Sequence, residues 1–244
     1  MKFPHLPEKQ VNKVIIGNGY NEEIYKSLLN LNVEPIFSAR CTNVRSGIHN
    51  HADIGVCPLL DNKFLLSKEQ YELSEILRKN GYNTEFINEN LDFNYPSDVF
   101  LNCVIIGKYI IYNPNTVSDK ITEYIKNNDL IEIIVKQGYT KCSIAPLTID
   151  TFITDDISIG SRAVEFGMDV LVINKGEIKL KDFNYGFIGG ATGKISEDKL
   201  VITGNAKKLS DYDKIKNFLY KKDIELISLT NCEIEDIGSI IPVY

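Results

Sequence analysis

The sequence contains a structural unit that recurs five times, and its last copy is divided between the two ends of the chain. Each copy has the pattern of an apolar strand, a turn, a second short apolar strand, an amphipathic helix and a third strand. The first full copy runs ADIGVCPLL, KFLLS, KEQYELSEILRKNG and NTEFI. The next three copies begin at DVFLNCVIIG, KCSIAPLTI and YGFIGGATGKI. For the fifth, DIGSIIPV ends the chain, while KVIIGN, NEEIYKSLLNLN and EPIFSA open it.

This repeat predicts a closed ring. One unit of about 45 to 50 residues cannot bury its own apolar face, so neighbouring units must stack on it. A last unit completed by the N-terminus favours a ring over an open solenoid. Pro58, Pro146 and Pro242 hold the same place near the end of a first strand in three of the units. We therefore expect an α/β fold with one domain over residues 1–244, because opening the ring would expose two sheet edges.

The composition narrows the classes of function. A formal charge of −6 and the lack of a lysine or arginine cluster argue against nucleic acid as a partner. No apolar run is long enough to span a bilayer, and MKFPHLPEKQ lacks the apolar core of a secretion signal. Five cysteines without a CxxC pair fit reduced thiols better than a disulfide framework. These features predict a cytoplasmic protein that binds neither membranes nor nucleic acids.

A histidine and an aspartate stand together at the start of the first unit. In an extended segment His51 and Asp53 would face the same side, and the carboxylate would make the imidazole a better base. The alternative is a loop histidine with a turn-forming aspartate. His49 could replace His51 in that role. A metal site built from His49, His51 and Asp53 is a further alternative, but no second cluster completes it, so we predict no metal.

Other acids also stand at the starts of units. Asp98 begins the second unit and Asp236 the fifth, so the repeat predicts that both approach the channel mouth near Asp53. Three converging acids would form a cation-binding funnel, although turn chemistry alone also explains them. Asp155 and Asp156 are weaker candidates, because acids before a helix stabilise its N-terminus.

The glycine-rich stretch of the fourth unit lacks the spacing of a phosphate-binding loop. Gly189 and Gly190 are interpreted instead as a bulge or a close backbone approach at the channel. In the fifth unit Ser239 could donate a hydrogen bond into that channel, but no histidine nearby in the sequence would make it a nucleophile.

Five segments carry a resemblance to a known fold: HADIGVCPL, QGYTKCSI, TDDISIGSRAVEFGMDVLVINKGEIKL, GFIGGATGKI and DIGSIIPV. Together they run from His51 almost to the C-terminus. The chain resembles an uncharacterised bacterial family of the pentein fold, the five-bladed α/β propeller of guanidine-modifying enzymes. That fold includes arginine and agmatine deiminases, dimethylarginine dimethylaminohydrolases and amidinotransferases. It also includes a ribosome anti-association factor, which has the ring without catalysis.

The resemblance implies a site in the central channel. In such enzymes a cysteine thiolate attacks the guanidinium carbon, a histidine carries protons, and carboxylates hold the planar cation. Along the chain, a Gly-Gly-Asp segment precedes the histidine, and the cysteine comes near the C-terminus, often as Cys-x-x-x-Pro. In this chain Gly238 stands where that cysteine would be, and Ala191 follows Gly189 and Gly190 without the acid.

The Cys-x-x-x-Pro pattern appears in the third unit, at Cys142 and Pro146. Reading the ring from Gly189 through the termini to His51 and on to Cys142 restores the family order, as if the ring had been permuted. Lys141 could lower the pKa of the Cys142 thiol. A buried packing role is the alternative, and we assign that role to the other four cysteines: Cys41, Cys57, Cys103 and Cys232.

Two functions from different classes follow. The first is a cofactor-free hydrolase or amidinotransferase-like enzyme acting on a small cationic guanidine or amidine. Cys142 would be its nucleophile, His51 its general acid/base and Asp53 the partner of that histidine. The remaining candidates would bind substrate: Asp98, Lys141, Asp236, Ser239, Gly189 and Gly190. The second is a non-catalytic ring that binds a partner through its rim. The enzyme hypothesis requires the Cys142 sulfur and the His51 ring to face one cavity.

Overall fold

A computed structural model describes residues 2–244 and, within them, five three-stranded sheets. Each sheet has the same internal order: a first strand pairs antiparallel with a central strand, which pairs parallel with a third. In chain order the strands are β1 (Lys13–Ile16), β2 (Glu34–Phe37), β3 (Val56–Leu59), β4 (Lys63–Leu66), β5 (Asn83–Phe86), β6 (Val104–Ile106), β7 (Tyr109–Tyr112), β8 (Ile131–Ile134), β9 (Ile144–Thr148), β10 (Thr151–Thr154), β11 (Asp169–Val172), β12 (Thr192–Ser196), β13 (Lys199–Ile202), β14 (Glu225–Ser228) and β15 (Ile241–Val243).

Helices make the crossovers that the parallel pairs require. The crossover helices are α1 (Glu22–Asn30), α3 (Tyr71–Lys79), α4 (Asp119–Lys126), α5 (Ile157–Val164) and α6 (Tyr212–Tyr220), with 3-10 turns at Lys68–Gln70 and Ala206–Lys208. The short helix α2 (Ala52–Gly55) is not a crossover, because it precedes β3 and joins no parallel pair. Side chains of Asn21, Ser118 and Asp156 accept backbone N–H groups at the starts of α1, α4 and α5. These caps satisfy N–H groups that the first helical turn leaves free.

The fifth blade joins the two ends of the chain, as the sequence predicts. β15 pairs antiparallel with β1, with Val14 opposite Pro242, and β1 pairs parallel with β2. Pro242 can occupy β15 because this is an edge strand of its three-stranded sheet, where a missing N–H group breaks no ladder. The arrangement is the five-bladed pentein propeller, closed by the N-terminal segment.

Apolar clusters fill every interface between neighbouring blades. One cluster joins the fifth blade to the first through Ile15, Val243, Val56 and Phe64. Four similar clusters join the first blade to the second, the second to the third, the third to the fourth and the fourth to the fifth. Because the first and central strands bury residues on both faces, they appear in the sequence as apolar runs, whereas the third strands are largely exposed. Among residues 2–244, every helix falls short of the length and apolar character needed to span a bilayer.

The segments that precede the first strands are turns and not strand, which corrects the sequence-based assignment. His51 is the N-cap of the short helix α2, and Asp53 lies within that helix. Cys142 lies in a turn before β9, and Gly189 and Gly190 lie in a turn before β12. Short apolar runs do not distinguish a strand from a helical turn, which is why ADIG was assigned to a strand.

Candidate functional site

A cavity of about 190 Å³ opens where these turns meet. Its polar lining includes His51 from the first unit, Cys142 from the third and Asp236 from the fifth. Its apolar lining includes Ile54, Tyr139, Leu180, Phe183, Tyr185 and Phe187. The ring thus brings groups that are almost 200 residues apart in sequence to one concave surface. We call His51, Cys142 and Asp236, with Asp53 behind them, the polar floor.

Cys142 is held by an amide and a carboxylate. Asn102 Nδ2 donates to the Cys142 sulfur at 3.1 Å, and its Oδ1 accepts the backbone N–H groups of Lys141 and Cys142 at 2.7 and 3.2 Å. The thiol in turn donates to Asp53 Oδ2 at 3.3 Å. Asn102 therefore fixes both the backbone and the sulfur of this turn from the neighbouring blade.

Burial raises the pKa of the Cys142 thiol well above its ordinary value, and the charges of Asp53 and Asp236 raise it further. The Asn102 hydrogen bond and the Lys141 charge act in the opposite direction. The sequence-based expectation for Lys141 is therefore right in direction, but burial outweighs it. Without a ligand, the site holds a neutral thiol.

His51 lies between two carboxylates. Its Nδ1 is 3.6 Å from Asp236 Oδ1 and 3.9 Å from Asp53 Oδ1. All three side chains are at least 98% buried. His51 Nε2 and Asp53 Oδ1 are buried and have no hydrogen-bond partner. Buried polar atoms are normally paired, so these two provide free hydrogen-bonding capacity beside the cysteine.

Asp236 is held by backbone N–H groups on both oxygens. Phe187 N donates to Oδ2 at 2.9 Å and Gly238 N donates to Oδ1 at 3.0 Å. Burial and the nearby Asp53 charge raise the pKa of Asp236, while His51 and these N–H groups lower it. Each oxygen keeps a second lone pair, so the carboxylate can still accept hydrogen bonds from a ligand.

A buried lysine supports the floor from the side away from the cavity lining. Lys141 Nζ donates to Ser239 Oγ at 2.8 Å and to Gly189 O at 3.1 Å. The Ser239 hydroxyl donates to Asp53 Oδ2 at 2.6 Å. Burial lowers the pKa of Lys141, and the charges of Asp53 and Asp236 oppose that shift. The network links an ammonium group to the carboxylate that touches the thiol.

Three glycines allow the backbone to pass close to this floor. A Cβ on Gly190 would lie 2.0 Å from Asp236 Oδ1, and one on Gly189 would lie 2.2 Å from Ile144 O. Gly238 has φ +74°, and a Cβ there would lie 2.3 Å from the Cα of His51. His51 therefore occupies the space that a side chain at position 238, where the resemblance implies a cysteine, would need.

Other candidates lie away from the cavity lining. Asp98 is buried and accepts a short hydrogen bond from the Tyr139 hydroxyl, so it stands behind that ring. Burial raises the pKa of Asp98. Asp156 caps α5. Asp155 accepts the Ile188 N–H at 2.9 Å, and burial, with a smaller effect of the Asp236 charge, raises its pKa to about 7.

His49 also lies apart from the floor. It is half-buried, and its Nδ1 is 3.1 Å from an Arg40 guanidinium nitrogen. Burial and the Arg40 charge lower the pKa of His49. Within residues 2–244 no group of three or more His, Cys, Asp or Glu side chains has an arrangement that could hold a metal ion.

Sequence reasoning missed two parts of the site. The first is Asn102, the one polar residue inside the apolar run FLNCVII, whose position was a usable signal. The second is the segment between β11 and β12, which supplies Leu180, Phe183, Tyr185 and Phe187 to the cavity. Three aromatic residues at alternate positions of a polar segment were its signal, but this spacing is that of a strand, and the segment forms none.

A family model described as "Family of unknown function (DUF6873)" matches residues 15–241. The chain belongs to that family. No curated protein matches the sequence significantly.

Solved structures of guanidine-modifying enzymes have the same fold. The inosamine-phosphate amidinotransferase of Streptomyces griseus superposes with a TM-score of 0.59 at 10% identity, over 97% of this chain and 96% of that one. The DDAH of Pseudomonas aeruginosa, a cysteine-to-serine mutant in complex with citrulline, gives 0.57 at 9% identity, over 95% and 96%. The agmatine deiminase of C. jejuni gives 0.53 at 11% identity, over 93% and 90%. At such low identities this likeness establishes the fold alone.

Proposed function

We propose that the protein is a guanidine- or amidine-modifying hydrolase, with Cys142 as the nucleophile and His51 as the general acid/base. One observation carries this proposal. The Cys142 sulfur and the His51 ring line the same cavity beside Asp236, and His51 Nε2 and Asp53 Oδ1 are buried without partners. A small planar cation has the N–H groups that the unpaired Asp53 oxygen needs, and the unpaired His51 Nε2 is free to exchange a proton with a substrate nitrogen.

The arrival of a cation would activate the thiol. The carboxylates that raise the pKa of Cys142 would then face a positive charge, which favours thiolate over thiol. The thiol proton leaves along the existing hydrogen bond to Asp53 Oδ2. The sulfur then forms a bond to the amidinium carbon, and the cation's positive charge is neutralised in the tetrahedral adduct.

His51 completes the exchange. His51 enters this step protonated, and it donates its Nε2 proton to the departing nitrogen as the C–N bond breaks, leaving a carbon–sulfur intermediate on Cys142. A water molecule then gives one proton to His51 and its hydroxide to the carbon. The C–S bond breaks to return the thiolate, and the remaining hydroxyl proton is released to solvent. An acceptor amine in place of water would make the same intermediate an amidinotransferase step. The reduced thiol that this chemistry needs fits a cytoplasmic protein.

A matched pair of electrophiles tests this proposal. 2-Chloroacetamidine is a cation and 2-chloroacetamide is its neutral counterpart, and a thiolate displaces chloride from either. We expect the amidine to label Cys142 at least tenfold faster than the amide at pH 7, read by mass spectrometry of peptides. Cys232 is exposed and not the buried packing residue that the sequence predicts, so it provides the internal reference for intrinsic reactivity.

Hydrolysis is tested separately by ammonia or amine release from a panel of guanidines. We expect the wild type to show turnover and Cys142→Ala to show none. His51→Ala should still be alkylated but should lose turnover, because its proton is needed only when nitrogen leaves.

One feature favours a second function, a non-catalytic ring that binds a partner through its rim: Cys142 is buried, and this burial raises the pKa of its thiol. Equal labelling of Cys142 by the two electrophiles, together with no turnover, would support that alternative and overturn the enzyme.

A further inference from the structure

The cavity is polar only at its floor. Its walls come from aliphatic side chains and from four aromatic rings, those of Tyr139, Phe183, Tyr185 and Phe187. Beyond the floor, Asn184 supplies the remaining polar side chain of the lining. A ligand whose cationic end reaches Asp236 must therefore place the rest of its body against apolar surface.

Where Tyr139 and Phe187 line the cavity, the wall presents ring surface and no free hydroxyl group. Tyr139 and Phe187 are stacked, with ring centroids 6.1 Å apart and planes inclined by 24°. Tyr185 packs edge-on against Phe187 at 6.0 Å. The Tyr139 hydroxyl is bound to Asp98, which does not line the cavity. Tyr139 thus contributes an apolar face, as Phe187 does.

Lysine and arginine are absent from this lining, within the part of the chain that the structure describes. The nearby cations are engaged with rings: Arg45 lies 5.8 Å from the Phe183 centroid and donates to Phe93 O, and Lys175 lies 4.9 Å from the Tyr185 centroid. A carboxylate inside the cavity would meet no lysine or arginine of the lining and would lie near Asp236. Burying an unpaired charge is costly, so the walls select against it.

We infer that the substrate is an amidine or guanidine whose substituent is an aromatic or compact apolar group and carries no carboxylate. This inference rests on the proposed function, because it places the cationic carbon at Cys142. It excludes free α-amino acids such as arginine as preferred substrates. Ring–ring contacts and apolar burial then supply the affinity, while the floor carboxylates supply the orientation.

Binding to the Cys142→Ala protein tests this without chemistry. Isothermal titration would compare benzylguanidine with 4-(guanidinomethyl)benzoate, which differs only by the carboxylate, and agmatine with arginine, whose skeletons likewise differ only by the carboxylate. We expect each carboxylate to weaken binding at least tenfold, and benzylguanidine to bind more tightly than agmatine.

Two wall variants localise the effect. Tyr185→Ala and Phe187→Leu alter half-buried residues, so each should still fold, and each should weaken benzylguanidine binding about three- to tenfold. Tyr220→Ala removes a tyrosine that is 81% exposed on α6 and should leave binding unchanged.

The outcomes distinguish a failure of the inferred substrate preference from a failure of the proposed function. If arginine or the benzoate binds as tightly as its carboxylate-free partner, the inference is overturned, while cation-selective labelling of Cys142 can still stand. If none of the four compounds binds and Cys142 shows no preference for chloroacetamidine, both fail together.

Discussion

The molecule buries thiols in two contrasting regions. Cys57 and Cys103 meet between the first two blades with their sulfurs 3.5 Å apart, inside an apolar cluster. Cys142 meets Asn102 and Asp53 and lines a cavity. The pKa of Cys57 is raised well above its ordinary value by its hydrogen bond with Cys103 and by burial. The pKa of Cys142 is raised by burial and by carboxylates.

The same protonated state therefore has different causes. At Cys57 the shift comes from the Cys103 hydrogen bond and from burial in an apolar cluster, and a bound cation would remove neither cause. At Cys142 part of the shift comes from negative charges that a bound cation would neutralise. A raised pKa alone does not distinguish a packing cysteine from a reactive one, whereas the charges around the sulfur and access to a cavity do.

The largest expected effect comes from the buried lysine. Lys141→Met removes the ammonium that compensates Asp53 and Asp236, and it also removes two hydrogen bonds. Breaking a buried charge network of this kind costs about 3–5 kcal/mol of unfolding free energy. Urea denaturation would measure it. Alkylation of Cys142 should also slow, since Lys141 lowers the pKa of that thiol.

Lys194→Met is the matched control. Lys194 is also buried, but its Nζ donates to backbone carbonyls of Leu147 and Glu197 and not to the polar floor. The protein should lose stability, yet Cys142 should be alkylated at the wild-type rate. Equal slowing in both variants would mean that Lys141 acts only through general stability.

A pH-dependent prediction concerns Asp155. Its pKa is raised from 3.8 to about 7, so between these values the folded state binds more protons than the unfolded state. The stability of the protein therefore falls as pH rises from about 4 to 7, by at most about 4 kcal/mol from this group. Asp155→Asn imitates the protonated acid and should remove that loss. Its stability relative to wild type should increase between pH 4 and pH 8 in urea denaturation.

Asp213→Asn, on the exposed surface of α6, is the control for this experiment and should give no such pH dependence. If the stability difference between Asp155→Asn and wild type stays constant from pH 4 to pH 8, the raised pKa of Asp155 is wrong.

The fold was more predictable than the site, because buried strands appear as apolar runs and these runs recur in the same order in every unit. The pairing of β15 with β1 follows from the split fifth copy. Asp98, in contrast, was placed near Asp53 by aligning repeats, but its partner Tyr139 comes from another unit and takes up its carboxylate. Contacts between blades are tertiary, so no local pattern specifies them.

The segment that builds the aromatic walls is a second case. Phe183, Tyr185 and Phe187 alternate as they would in a strand, but they belong to a connection without regular secondary structure. Their hydrophobic period therefore indicates the wrong element and does not show that all three line one cavity. Cys142 and His51, by contrast, could be paired from the sequence, because the ring order brings the starts of units together.

The next effect in size concerns recognition of the cation. Asp236→Asn keeps the shape of the side chain but removes the charge that lines the cavity beside Cys142. A charged hydrogen bond contributes about 1.5–3 kcal/mol, so the preference of Cys142 for chloroacetamidine over chloroacetamide should fall roughly 10- to 100-fold. Peptide-resolved labelling would measure it. The thermal stability of the variant should be measured as well, because the new amide N–H group would face the Phe187 or Gly238 N–H and destabilise the fold.

The smallest effect should come from the other thiol region. Cys57→Ala removes a sulfur from the cluster between the first two blades and should cost about 1–2 kcal/mol of unfolding free energy through lost packing. Because the Cys57 sulfur contacts Pro58 O and the Cys103 sulfur and not the polar floor, the labelling rate of Cys142 and its preference for the cationic electrophile should both stay at wild-type values. A changed preference would mean that the interface between the first two blades positions the polar floor. Cys57 would then affect the site as well as the packing.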